Sequence, residues 1–337
     1  MSLRPFVKLF RNHQLSALLG ISRLFKPFYK LVYLAGAREC GLLELLSEQP
    51  LSFDRLADAY CSDTKSREAL EAWLQLGIRL GYLEGGGGGY ALKGLARELA
   101  APRNDAAIAM VQEVARLHYK LIADTPSRLR NRQLWTLEDQ DGEVIARSSR
   151  LLENFQTEAL DRTFPASGAV RLLEIGCGSA VYIQYAAQRN PALTAVGLEL
   201  QPDVAVGARR NIAEWGLQQR VSIEIGDIRD RKAQEQFDVV TLYNNIYYFP
   251  FEERVALLRR LKESVKPGGF LLLTTCCQGG SLGLEVLNLW GAATATGGRL
   301  PWADEMAAQL REAGFGQVES MSLVPGDSFH AFKAMNA

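Results

Sequence analysis

Histidine is scarce in this chain: His13, His118 and His330 are the only three in 337 residues. Candidates for a general base near neutral pH are therefore few. The five cysteines, Cys40, Cys61, Cys177, Cys276 and Cys277, have neither the spacing of a zinc site nor the framework of a disulfide-stapled domain. That usage fits a reduced, cytoplasmic setting, and no metal is expected. Net charge is missing as well. Lysine plus arginine number 38 and so do the acids, so no global field favours nucleic acid or an acidic polymer. No apolar run reaches the length of a membrane span. The N-terminus lacks the apolar core and cleavage pattern of a signal peptide. One absence is local. Residues 1–38 hold Arg4, Lys8, Arg11, Arg23, Lys26, Lys30 and Arg38 but no acid, with leucines and phenylalanines interleaved. A basic amphipathic arm of this kind can lie on an anionic membrane. The simpler expectation is an arm packed on a partner subunit, its cations solvated.

What is present is length enough for two domains with full cores, and one concentrated signal. Leu172-Leu173-Glu174-Ile175-Gly176-Cys177-Gly178-Ser179-Ala180 reads as an apolar strand carrying an acid, then a loop with two close glycines, then a helix from Val181. Glycine lets the backbone turn sharply and approach a ligand. The following helix aims its free N–H groups into the loop. An α/β sheet builds a nucleotide pocket this way, at the carboxyl end of its first strand. A carboxylate at Glu174 is poorly placed for a diphosphate and well placed for the amino group of an amino-acid moiety. A second strand, 193–200, brings Glu199 to its end, where an acid can hold both hydroxyls of a ribose. A third, 220–228, offers Asp227 to an adenine amino group. A fourth covers 237–245, a helix 252–265, and Lys266-Pro267-Gly268-Gly269 is expected to turn into a fifth strand at 270–275.

In this order the motifs "LLEIGCG", "VGLEL", "GDI", "FDVVTLYNNIYYF" and "VKPGGFLLL" resemble the class I S-adenosylmethionine-dependent methyltransferases, over roughly residues 166 to 337. The family's third loop glycine is Ala180 here, a small residue that fits. The resemblance implies a Rossmann-like α/β domain with a mostly parallel seven-stranded sheet. It implies S-adenosylmethionine as cofactor and S-adenosylhomocysteine as product. Glu174, Gly176, Gly178, Glu199, Leu200, Asp227, Ile228, Tyr243 and Asn244 are the expected cofactor contacts. The rival reading, a NAD-dependent oxidoreductase, meets Val181 where the third glycine of its fingerprint belongs, which opposes close helix–strand packing.

The first hundred residues differ in texture. Helices are expected at 35–46, at 51–60 with Ser52 as N-cap, and at 66–80, followed by two short strands around Gly85 to Gly89. Helix–helix–helix–hairpin is a winged-helix pattern, similar to the N-terminal dimerisation domain of small-molecule O-methyltransferases. A DNA-reading third helix is disfavoured, because Glu68 and Glu71 offset Arg67 and Arg79 and its face is apolar. The expected organisation is a winged-helix-like dimerisation domain at 1–100, a helical connector and pocket wall at 101–165, and the cofactor-binding domain at 166–337.

Methyl transfer from a sulfonium asks for in-line attack, which positioning in a water-poor site can largely drive. A base is needed only if the acceptor keeps its proton at neutral pH. Many O-methyltransferases of the resembled group place a histidine and an acid after the fourth strand. Here Tyr247 stands in the histidine's place and Tyr248 in the acid's, and neither is a good base. The dyad is absent. His118, on the connector, is the remaining base candidate, with Tyr247 beside it. An amine, a thiolate, an acidic phenol or a stabilised carbanion would need none. Tyr248, Asn245 and Trp290 are the expected acceptor contacts. Trp290 lies in a glycine- and alanine-rich segment, 278–301, whose apolar character suits a medium-sized hydrophobic or aromatic acceptor. The expected function is methyl transfer to a small molecule in a secondary-metabolite pathway by a homodimer, with O-methylation favoured over N-, C- or S-methylation. A protein that binds the cofactor without transferring its methyl is the alternative.

Overall fold

The computed structural model describes residues 4–86, 89–231 and 236–337, with the side chains of Pro5 and Gly86 left aside. The chain divides into two compact units, residues 1–120 with 138–151, and residues 121–137 with 152–337.

The first unit is mainly helical. It runs α1 (Arg4–Arg11), α2 (Leu15–Glu39), α3 (Leu42–Glu48), α4 (Phe53–Tyr60) and α5 (Thr64–Leu80) into a hairpin, β1 (Leu83–Gly86) and β2 (Gly89–Leu92). Gly87 and Gly88, at the expected wing tip, lie outside the described residues. The single helix expected at 35–46 is two helices. Gly41 takes φ 80 between them, a left-handed turn that only glycine enters freely. Ser52 caps α4 as expected, accepting from Arg55 N, and Asp63 caps α5 by accepting from Ser66 N at 2.8 Å. Leu70 and Leu74 of α5, Leu42 and Leu43 of α3, and Tyr33 and Leu34 of α2 form one apolar core. After α6 (Leu95–Leu99) comes α7 (Asp105–Glu113), which passes through a π turn at Val114–His118 into α8 (Tyr119–Arg130), whose residues from 121 on belong to the second unit. α9 (Gly142–Ser148) returns to α7, where Arg147 pairs with Asp105 at 2.6 Å. Along α1 and α2, Phe6, Phe10, Leu24, Phe25 and Phe28 are exposed.

The second unit is an α/β sandwich. α10 (Glu153–Thr163) leads into β3 (Val170–Ile175), α11 (Val181–Arg189), β4 (Leu193–Glu199), α12 (Pro202–Glu214), β5 (Val221–Ile225) and β6 (Phe237–Tyr243). α13 (Arg254–Ser264), β7 (Val265–Cys276), α14 (Leu282–Ala293), α15 (Ala303–Glu312), β8 (Val318–Ser322) and β9 (Phe329–Met335) complete it. The sheet order is β5-β4-β3-β6-β7-β9-β8, and every strand runs in one direction except β9, which is antiparallel to both its neighbours, β7 and β8. Alternation along the strands feeds two cores. Leu172, Val239 and Leu272 face one helical layer, and Leu173, Val240 and Leu271 face the other. The order reverses between β3 and β6, so their carboxyl ends open the crevice where this topology binds ligands.

The turn expected at 266–269 lies inside β7 instead. Gly268 does turn, at φ 80. Asn336 nevertheless keeps the segment in the sheet, accepting from Gly268 N, donating from its own N to Gly269 O and from Nδ2 to Val265 O.

Candidate active site

The crevice is built by the loop after β3. Gly176 N and Cys177 N both donate to Leu198 O of β4, at 2.8 and 3.1 Å, which folds the loop back over the sheet. Gly176 and Gly178 take φ 65 and 53. Ala180, at the third glycine position, takes φ 64 as well, a conformation that costs a side-chain-bearing residue about 1–2 kcal/mol. A Cβ on Gly176 would stand 2.5 Å from Asn245 Nδ2.

Glu199, at the end of β4, is 8% exposed and already oriented. Its Oε2 accepts from Gly178 N at 2.9 Å and its Oε1 from Gln201 N at 3.0 Å. Leu200 beside it is exposed and Ile228 is buried. Asp227 lies two residues beyond the end of β5 and is engaged by Arg229, whose Nε and Nη2 reach it at 2.9 and 2.5 Å. That guanidinium holds the Asp227 carboxyl below the usual carboxylate range. A ligand amine at Asp227 would share it with Arg229.

Glu174 sits deeper, 1% exposed, beside Thr241 across the β3–β6 ladder. Burial alone pushes its carboxyl well above the ordinary range. Further along β6, Tyr243 pairs in register with Thr274 of β7, whose hydroxyl donates to Gln156 Oε1 of α10 at 2.6 Å. Burial, and then the Glu174 charge, raise the Tyr243 phenol. Tyr182 meets Tyr243 edge-on at 5.2 Å. Glu174 Oε2, Thr241 Oγ1, Tyr243 Oη and Gln156 Nε2 are all buried without a hydrogen-bond partner. Buried polar atoms left unpaired are costly and uncommon in native folds. Acceptor, amide donor and hydroxyls together match the ammonium and carboxylate of an amino-acid end, while Glu199 offers a carboxylate to a ribose. The donor set fits S-adenosylmethionine.

The two asparagines after β6 separate in a way the sequence did not suggest. Asn244, at φ 50, is spent on the sheet: its N donates to Thr274 O and its Oδ1 accepts from Cys276 N. Asn245 lies against the glycine loop, donating from Nδ2 to Ile175 O at 3.1 Å, with a buried Oδ1 lacking a partner. Asn245, expected among the acceptor contacts, lies against the glycine loop, and Asn244, expected among the cofactor contacts, is bonded to β7. Tyr247 and Tyr248 follow on one turn, ring centroids 4.8 Å apart. Trp290 is buried at 3% exposure against Trp135, centroids 6.3 Å apart, an interior packing position. His118 belongs to the first unit, on the π turn, with Nε2 3.0 Å from Glu113 Oε1. Sequence reasoning missed Gln156 and Thr241. Thr241 shows as one polar residue in the apolar run of β6, whereas nothing in the helix around Gln156 singles it out.

Residues 173–271 match the family model of a methyltransferase domain. Among curated proteins, the chain is 26% identical over 185 residues to demethylspheroidene O-methyltransferase of Cereibacter sphaeroides, covering 53% of this chain and 48% of that one. It is 31% identical over 125 residues to L-tyrosine C(3)-methyltransferase of Streptomyces lavendulae, covering 37% and 33%. The matches thus span half or less of these relatives. Among solved structures it is similar in fold to mitomycin 7-O-methyltransferase MmcR, with TM-score 0.79, 20% identity, and coverage of 97% of this chain and 100% of that one. Residues 173–271 thus carry a methyltransferase domain, and the fold and crevice around it resemble those of the class I S-adenosylmethionine-dependent methyltransferases. The cofactor is S-adenosylmethionine, and the oxidoreductase reading is not favoured.

Proposed function

We propose that this protein transfers a methyl group from S-adenosylmethionine to a small apolar or aromatic acceptor. The observation that carries the reading is the set of four orphaned polar atoms around Glu174 beside a glycine loop turned back over the sheet. When bound, the cofactor supplies a methyl already activated on a positive sulfur. The chain's part is to hold and orient. Glu174, Gln156 and Asn245 take the amino-acid end, Glu199 the ribose, and Asp227 with Leu200 and Ile228 the adenine. The Tyr247–Tyr248 pair faces the acceptor and lends it aromatic surface. Since neither tyrosine is a base, positioning drives the transfer. His118, steadied by Glu113, is the base we assign where the acceptor keeps its proton. O-methylation is favoured, since demethylspheroidene O-methyltransferase is a relative by name, and the L-tyrosine C(3)-methyltransferase keeps C-methylation in view.

We further propose the three-part organisation at 1–100, 101–165 and 166–337, a homodimer formed through the first segment, and a cytoplasmic setting. Free thiols support the last, as does the fact that no described helix is long and apolar enough to cross a membrane. One feature favours a second reading: Tyr247 and Tyr248 replace the histidine–acid dyad, as in a protein that binds the cofactor without using it. The test is calorimetric titration with S-adenosylhomocysteine, with NAD as comparison, followed by transfer to a panel of phenols, amines and thiols. Binding of S-adenosylhomocysteine alone supports the cofactor, and transfer to any acceptor removes the second reading. Binding of NAD alone overturns both.

A further inference from the structure

Arg254, the first residue of α13, is the largest fully buried side chain among the described residues, at 0% exposure. No described carboxylate lies in salt-bridge range of it. Burial and then the neighbouring Arg299 push its guanidinium down to about 10, while Arg299 is engaged by Glu305 at 2.7 and 2.9 Å. A buried cation without a counter-ion is expensive, so its hydrogen bonds must justify it. It makes two, both to main chain. Nε donates to Phe249 O at 3.1 Å and Nη2 to Arg299 O at 2.8 Å. Among the described residues neither carbonyl accepts a backbone N–H outside regular elements. The guanidinium thus stands in for missing backbone pairing between two irregular segments, the turn after β6 and the stretch after α14.

The same two segments touch directly. Gly298 N donates to Tyr247 O at 3.0 Å. A Cβ on Gly298 would fall 2.8 Å from Phe251 N, 2.9 Å from Arg254 Nη2 and 3.0 Å from Phe249 O. Glycine is required there because backbone meets backbone. Arg299 lies 4.0 Å over the Phe251 ring and closes the cluster.

We infer that Arg254 is a positioning residue that fixes the Tyr247–Tyr248 pair by tying its turn to Arg299, and so presets the acceptor side of the pocket without serving the cofactor. The acceptor side is named on the strength of the proposed function; the tie itself stands on geometry. A planar fork can bridge two carbonyls in fixed directions, which a lysine cannot.

The test uses the full chain labelled with 3-fluorotyrosine, its fluorine lines assigned through Tyr→Phe variants. In Arg254→Gln the Tyr247 and Tyr248 lines should move and broaden, while the Tyr182 and Tyr243 lines hold still. Exchange of the Gly298 amide should quicken at least about tenfold, and affinity for S-adenosylhomocysteine should stay within about twofold. Arg254→Lys should give intermediate line positions. If Arg254→Gln does not fold, Gly298→Ala, which keeps the arginine and wedges the segments apart, should move the same two lines. Unmoved Tyr247 and Tyr248 lines would overturn the inference. So would a shift of all four lines together with lost affinity, which would mean a general structural role. A wild type that fails to bind S-adenosylhomocysteine sinks the cofactor reading instead, and the tyrosine lines still judge the tie.

Discussion

At the scale of single residues, Glu174 combines two opposed effects. With no ligand its carboxylate is buried and unpaired, so the folded state prefers it protonated. Above the ordinary glutamate value of 4.5 the folded chain then binds more protons at this residue than the unfolded chain. By linkage, this residue's contribution makes stability fall as pH rises from there toward its folded value. Glu174→Gln should remove that slope. Thermal melts without ligand should show the variant more stable than wild type at neutral pH, with the gap closing toward acid. The same variant should bind S-adenosylhomocysteine more weakly, because a neutral amide meets an ammonium poorly. A variant less stable than wild type across the range would mean that Glu174 is paired in the free protein. Glu199 behaves differently, since two backbone amides already fix its orientation. A charge-assisted bond from such a preset carboxylate to a ribose hydroxyl is worth about 1.5–3 kcal/mol, so on the proposed function Glu199→Ala should cost at least about tenfold in affinity by calorimetry. His118→Ala is the check on the base: lower transfer with unchanged S-adenosylhomocysteine affinity is expected, and an unaltered rate leaves positioning alone. Glu174, Glu199 and the glycines were legible because a loop between strand and helix leaves few chemical options. The placement of Asn244 against β7 and Asn245 against the loop was not, since adjacent residues past a strand point oppositely and only the left-handed Asn244 decides which one reaches the loop.

At the scale of elements, periodicity was a sound guide wherever burial is one-sided. The seven strands alternate into two cores, and α5 buries Leu70, Leu74, Gly77 and Leu80 along one face. Boundaries depended on partners the sequence does not display. A helix pattern runs through Gly41, yet glycine there turns left-handed and starts α3 on a new axis. Pro267-Gly268-Gly269 looks like a turn, yet Asn336, almost seventy residues later, holds it in β7. Caps test this scale cleanly. Asp63 accepts from Ser66 N and also from Ser66 Oγ, so Asp63→Ala should lower stability. S-adenosylhomocysteine affinity should be unchanged, because α5 belongs to the other unit. Denaturant melts with the ligand present and absent would show it.

At the scale of the whole molecule, the winged-helix-like order was readable from the succession of helices and hairpin, whereas the partition of the connector between the two units was not. Residues 121–137 join the second unit and 138–151 the first, and such crossings depend on contacts remote in sequence, such as Trp135 N donating to Ala293 O. The proposed dimer predicts that sedimentation velocity gives twice the monomer mass, and that a chain lacking α1 and α2 runs at its own mass.

The acid-free arm has a consequence that an overall charge of zero conceals. Its seven cations leave 31 against 38 acids in the remainder, so the rest of the chain carries a net −7. The neutral whole is therefore an internal ion couple rather than an uncharged body. Trimming the arm would convert a protein with an isoelectric point near 6.9 into an acidic one that binds an anion exchanger. Any association in which one copy's arm meets another's acidic remainder would weaken with added salt, as screening shortens the reach of such attraction to about 10 Å at 0.1 M.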